Sequence, residues 1–139
     1  MGGAVAVRLA AGLRPGEIAA LVLESTFTRL PDVAAQAGWF GRLVSWFTSL
    51  EFDSLSRIAA VKAPLLMLHG SADTTVPVAL GRRLRDAAAA TTAVRWVEIA
   101  GGTHSRLHSD APELYNQAFR TLMNELPSPI STPTARSAG

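Results

Sequence analysis

Cysteine is absent from this 139-residue sequence. That excludes disulfide scaffolds, thiolate metal sites and thiol nucleophiles. Histidine is scarce: His69, His104 and His108 are the only three, which leaves little room for a metal cluster. Charge is thin as well, at 17% of residues, and its signs nearly cancel, 13 Lys+Arg against 11 Asp+Glu for a net of +2. Lys62 is the only lysine and no basic tract forms, so a nucleic-acid partner is not implied. Long hydrophobic runs are also missing. The longest, such as Ala63 to Leu68, fall far short of the roughly 18 residues of a membrane span. The N-terminus lacks the basic start of a secretory signal, and Arg8 interrupts its apolar stretch. Ala6 stands where an N-myristoylation signal wants Ser or Thr. A soluble, cytoplasmic protein is the expectation.

What is present is apolar and patterned. Hydrophobic residues make up 48% of the chain, too many for intrinsic disorder and enough for a core. Residues 2 to 13 are small and apolar and read as a tightly packed helix, ended by Gly12 and Pro15. Ile18 to Leu23 is a continuous apolar run, the pattern of a strand buried on both faces. Residues 31 to 61 hold Trp39, Phe40, Trp46, Phe47 and Phe52, broken by Gly38 and Gly41, and predict short helices. Pro64 to His69 is a second buried strand, ended by Gly70. Residues 78 to 90 are predicted helical, with Leu80, Leu84 and Ala87 on one stripe and Arg82, Arg83 and Arg85 on a solvated face. Val94 to Ile99 is a third strand. Asp110 is expected to cap a final helix, with Glu113 completing a capping box and Leu114, Ala118, Leu122 and Leu126 forming its stripe. From Pro127 onward the composition predicts a disordered tail. There are no internal repeats.

Strands alternating with helices predict an α/β fold, a parallel sheet with helices on both faces. In such sheets ligands bind beyond the carboxyl ends of the strands. The second strand runs into Gly70-Ser71-Ala72-Asp73-Thr74-Thr75-Val76-Pro77, and the third into Ala100-Gly101-Gly102-Thr103-His104. Neighbouring strands lie about 5 Å apart, so Asp73 and His104 can meet. A carboxylate on imidazole Nδ1 fixes the tautomer, stabilises the imidazolium and leaves Nε2 as a general base. Gly101 and Gly102 permit the tight turn that presents His104.

These segments resemble a known family. HGSADTTVP is similar to the HGxxDxxVP acid loop of the α/β-hydrolases, and GGTHSRL to their histidine loop. LVLESTFTRLPDVA resembles the sixth-strand region of their serine aminopeptidase-like and lipase/esterase-like members. The resemblance covers roughly residues 1 to 125. It implies the C-terminal half of an α/β-hydrolase fold, with three parallel strands (six to eight) flanked by helices. It makes Asp73 the acid and His104 the base, in the family's order of nucleophile, acid, histidine. The opening Met1-Gly2-Gly3 resembles the end of a G-x-S-M-G-G elbow, which puts the serine directly before Met1 and makes the Met1 backbone N–H one oxyanion donor.

The expectation is therefore a partial hydrolase domain over 1–126, with a cap-like helical insert at 27–61 and a tail at 127–139. The chemistry implied is acyl-enzyme cleavage of ester, thioester or amide carbonyls, with no metal or cofactor, and an inactive isolated chain. Phe27, Trp39, Phe40, Trp46 and Phe47 are candidates for an acyl or aryl pocket, or for core packing. His69 reads as structural, His108 as the start of the last helix or a solvent-facing residue, Glu24 as an alternate acid, and Ser25 as a serine without an elbow. The alternative to an enzyme is a non-catalytic interaction domain or a relic. The expected partners are a small acyl substrate in the complete protein, and either self-association or an N-terminal-half partner along Ile18 to Leu23.

Overall fold

The computed structural model describes residues 2–26, 54–90 and 92–126. In chain order these form α1 (Gly2–Ala11), β1 (Leu21–Glu24), α2 (Ser54–Ile58), β2 (Leu65–Gly70), α3 (Val78–Ala89), β3 (Val94–Ile99), α4 (Leu107–Asp110) and α5 (Pro112–Glu125). The three strands make one parallel sheet in the order β1-β2-β3. Leu21 pairs with Leu65 and Leu65 with Val94, so the strand starts are level across the sheet.

The central strand explains the layering. Every residue of β2 is buried, and side chains alternate across a strand. Leu65 and Met67 enter one core with Val7 and Ala10 of α1, Ile58 of α2, and Leu84 and Ala88 of α3. Leu66 and Leu68 enter the other, with Ile99, Leu107 of α4, and Ala118 and Leu122 of α5. Two apolar faces need two helical layers, which is why the strand reads as an unbroken apolar run. In α1 the buried positions Val7 and Ala10, with the partly buried Ala6 and Ala11, follow helical spacing.

Two boundaries differ from the sequence reading. β1 begins at Leu21 rather than Ile18. The turn through Gly16, whose φ is +88°, delivers the chain to β2 only at Leu21, whose N–H donates to the Pro64 carbonyl at 2.9 Å. Ile18 and Ala20 still pack on the two cores, so their apolarity reports burial rather than pairing. The final helix begins at Pro112, with Ala111 as its N-cap and no side-chain cap. Proline pushes the residue before it out of helical geometry, and Ala111 sits at φ −147°, ψ 69°. Asp110 instead closes the short α4 and turns its carboxylate to Thr103. The arginines of α3 are also less free than a solvated face implies. Arg82 makes a bidentate pair with Glu98, and Arg85 lies 5.4 Å over the Trp96 ring.

Met1, the aromatic candidates Phe27, Trp39, Phe40, Trp46 and Phe47, most of the 27–61 insert and the 127–139 tail lie outside the described residues. Of the insert, α2 and the turn after it are described, and Ile58 and Val61 join the α1-side core. Among the described residues no helix is long and apolar enough to cross a membrane.

Candidate active site at the carboxyl edge

Three strand ends meet at one edge of the sheet, and backbone contacts lace the two loops that matter. Ser71 N–H donates to the Ile99 carbonyl and Ala72 N–H to the Gly102 carbonyl, at 2.9 and 3.0 Å. Gly101 N–H returns a bond to Ser71 Oγ at 2.9 Å. The approach leaves no room for a side chain at Gly70, where a Cβ would collide with the Gly102 carbonyl. Gly101 takes a left-handed φ of +70°, which glycine adopts without steric penalty and which turns the chain toward His104.

Asp73 is held by its own loop. Its Oδ1 accepts the N–H groups of Thr75 and Val76 at 2.9 and 2.7 Å, a local turn that aspartate favours. Oδ2 is thereby directed at His104, whose Nδ1 donates to it at 2.9 Å. A carboxylate only accepts, so Nδ1 carries the hydrogen and Nε2 is left to exchange a proton. The Asp73 side chain is buried, whereas that of His104 is 39% exposed. Burial pushes the Asp73 carboxyl up. The Val76 N–H, the His104 hydrogen bond and charge, and Ser25 outweigh it, so the net shift is downward and the group is a carboxylate at neutral pH.

Two further residues hold this pair, and sequence reasoning gave neither of them that role. His69 is buried, and its Nε2 donates to the Val76 carbonyl at 2.8 Å, which pins the acid loop from beneath. The same nitrogen lies 3.6 Å from Asp73 Oδ2. The His69 ring stacks on Trp96 at 5.9 Å, and a Cβ at Gly81 would collide with its Nδ1. A histidine ending a buried strand four residues before an aspartate is the signal that could have suggested the contact. Asp110 accepts both the N–H and the Oγ1 hydroxyl of Thr103, at 2.9 and 3.0 Å, and so ties down the residue before His104. Nothing in the spacing announces that bond.

The remaining candidates fall elsewhere. Glu24 ends β1 and receives the Tyr115 hydroxyl at 3.2 Å; the carboxylate bonded to His104 is that of Asp73. Burial, and then the charge and hydrogen bond of Glu24, raise the Tyr115 phenol. His108 is exposed on α4, edge-on to Tyr115. Ser71 Oγ is engaged by Gly101, and Ser25 is buried. The first turn of α1 reaches the same edge: a Cβ at Gly3 would collide with the Thr26 side chain, just beyond β1. Among the described residues no group of three or more histidines or carboxylates is arranged to hold a metal.

This architecture recurs in solved hydrolases. The esterase Pf2001 of Pyrococcus furiosus superposes with a TM-score of 0.69 at 20% identity, over 89% of this chain and 50% of its own. The acylaminoacyl peptidase of Pyrococcus horikoshii gives 0.69 at 19% identity, over 88% of this chain and 22% of its own. The chain has their α/β fold. Rv0554 of Mycobacterium tuberculosis superposes at 0.61 with 18% identity, over 91% of this chain and 63% of its own. In sequence, the uncharacterized protein Rv2307c of Mycobacterium tuberculosis strain H37Rv is 40% identical over 106 residues, 76% of this chain. This chain spans 35% of the length of that relative. No family model matches.

Proposed function

We propose that this chain carries the acid and the histidine of a serine-type α/β-hydrolase that cleaves ester, thioester or amide bonds through an acyl-enzyme. The single observation behind the proposal is the 2.9 Å bond from His104 Nδ1 to a buried, ionised Asp73 at the carboxyl edge of a parallel sheet. The likeness of the fold to an esterase and a peptidase supports it.

In this reading the nucleophile is a serine directly before Met1 in the complete enzyme. The position suits the chemistry because α1 starts at the edge where His104 sits, beside Thr26. His104 Nε2 takes the serine proton as Oγ attacks the carbonyl carbon. The oxyanion is held by backbone N–H groups, one of them that of Met1. Asp73 stays ionised and stabilises the imidazolium. His104 then passes the proton to the leaving alcohol, thiol or amine as its bond to carbon breaks. Water repeats the cycle, gives its proton to Nε2, and releases the acid and the free serine. The aromatics of the 27–61 segment are assigned to an acyl or aryl pocket. The outer edge of β1 is assigned to the strands of the same enzyme that precede the nucleophile.

The test compares the 139-residue chain with a form extended upstream through the in-frame codons before Met1. The short chain is expected to give no turnover of aryl esters and no labelling by a fluorophosphonate. The extended form is expected to label at the serine before Met1, and His104→Ala to lower turnover by about 10⁴-fold or more. Stoichiometric labelling at Ser25 or Ser71 overturns the nucleophile assignment. An extended form that folds but neither labels nor turns over favours a non-catalytic domain.

A further inference from the structure

We propose that His69 is a positioning residue for the acid, its ring locked in the Nε2–H form and acting through Val76 to aim the Asp73 carboxylate at His104. The inference rests on reading Asp73 as the acid of the site, but what it asserts is a coupling between the His69 hydrogen bond and the Asp73 carboxylate, which is measurable without turnover.

A histidine at this place calls for a reason. Along β2 it follows Leu65 and Met67 on the side that faces α1, α2 and α3, where those two enter an apolar core. His69 is only 1% exposed, and a buried polar ring is costly unless it is hydrogen-bonded. The bond it makes goes to the acid loop, from Nε2 to the Val76 carbonyl at 2.8 Å. A carbonyl only accepts, so the ring hydrogen is on Nε2. The ring is held in that orientation by two other elements. It stacks on Trp96 of β3, with centroids 5.9 Å apart and planes 26° from parallel, and Arg85 of α3 lies over the Trp96 ring in turn. Gly81 of α3 closes on the other nitrogen: a Cβ there would stand 2.4 Å from Nδ1 and 2.9 Å from Cε1.

Val76 passes the constraint on. Its carbonyl takes the His69 bond, and its own N–H donates to Asp73 Oδ1 at 2.7 Å. His69 Nε2 is 3.6 Å from Asp73 Oδ2, beyond hydrogen-bond reach. That oxygen is therefore left to His104 Nδ1, at 2.9 Å. One residue is thus gripped on both its polar groups, and the far end of the grip sets where the carboxylate points. Burial raises the Asp73 carboxyl, and the Val76 N–H heads the contacts that lower it. A Val76 released from His69 is felt by both carboxylate oxygens: Oδ1 loses a well-placed donor, and Oδ2 turns away from His104. The buried Val76 carbonyl also loses its donor, which is a cost to the loop itself.

The test compares His69→Leu, which keeps bulk but has no donor, with His69→Gln, whose side-chain amide can donate from near the place of Nε2. In the 139-residue chain the Asp73 carboxyl carbon is titrated by NMR. Its midpoint is expected to rise in His69→Leu and to stay near the native one in His69→Gln. A histidine that only fills space would lower Tm when replaced and leave the midpoint where it is. An unmoved midpoint in a folded His69→Leu overturns the proposal, and so does a His69→Gln that shifts as far as His69→Leu. In the extended form, His69→Leu is expected to lower kcat by about 10- to 100-fold with KM little changed, the signature of a misaimed acid. An unchanged kcat in an active extended form overturns the proposal as well. If His69→Leu does not fold, the native chain decides: the nitrogen NMR shifts of His69 are expected to show the hydrogen on Nε2 and Nδ1 bare, and a hydrogen on Nδ1 overturns the proposal. An unmoved Asp73 midpoint leaves the hydrolase reading standing, and failure of fluorophosphonate labelling leaves this coupling standing.

Discussion

At the scale of single residues, Asp73 concentrates the electrostatics of the edge, and its consequence for stability has a definite sign. Its carboxyl lies below the ordinary aspartate value in the folded chain because its hydrogen bonds and His104 outweigh burial. A lowered folded value means that the group stabilises the fold fully above its unfolded pKa, about 3.9. The contribution is lost as pH falls through that value toward the folded one. Glu98, held down by Arg82, and Asp110, held down by the Thr103 N–H, act in the same direction. Stability is therefore expected to decline on acidification from about pH 5 downward. Asp73→Asn removes one share of that slope. It should destabilise more at pH 7 than at pH 3.5, as read from urea midpoints at each pH. A penalty equal at both pH values would show that the charge of Asp73 contributes nothing to the fold.

At the scale of elements, the two loops are held together by backbone hydrogen bonds as well as by the side chains of Ser71 and Asp73, and two glycines separate two kinds of cost. Gly70 has no space, since any Cβ meets the Gly102 carbonyl. Gly101 has open space and a left-handed φ of +70°. Gly70→Ala is expected to cost about 3 kcal/mol or more, because backbone must move. Gly101→Ala costs about 1 kcal/mol, the left-handed penalty less the entropy gained by restricting the unfolded chain. Denaturant melts of the two variants check the order, and a reversed order would mean that the loops are not packed this closely. The same comparison shows what was legible beforehand. β2 was readable because an apolar run flanked by Pro64 and Gly70 has little other use, and β3 because the β-favouring Val94, Trp96, Val97 and Ile99 run into the turn at Gly101 and Gly102. The meeting of Asp73 with His104 followed from two loops at neighbouring strand ends. The start of β1 was not legible, because Ile18 is apolar for packing and not for pairing. Nor was the part played by Asp110: a capping pattern competes with a bond to Thr103 that only the folded loop creates, and Pro112 decides the contest. The support from His69 depends on a carbonyl seven residues away, which no periodicity encodes.

At the scale of the whole molecule, β1 leaves a row of backbone groups with no described partner. The N–H groups of Leu21 and Ser25 point to β2, bonded to Pro64 and Leu68. Parallel ladders alternate, so those of Val22 and Glu24 face the outer edge. The one charge on β1 is at its last residue, Glu24, which leaves Leu21 to Leu23 as an edge with no charge, proline or bulge, and such edges invite pairing. The helix lying over that side is bare in the same way: Val5 and Leu9 of α1 are 44% and 66% exposed. A sheet of three strands also buries a smaller share of its apolar surface than a full domain does. On the reading that the preceding strands of the enzyme cover this edge, the 139-residue chain alone is expected to self-associate through β1. Size-exclusion chromatography should then show a species larger than the monomer. Val22→Pro should shift it toward the monomer, because proline removes an outward N–H without breaking the bonds of Leu21 or Ser25 to β2. Adding a separately expressed N-terminal half should do the same by occupying the edge. A native chain that elutes as a monomer and melts sharply above about 60 °C, near the top of the mesophile range, would make this sheet a self-sufficient unit and remove the need for any covering strand.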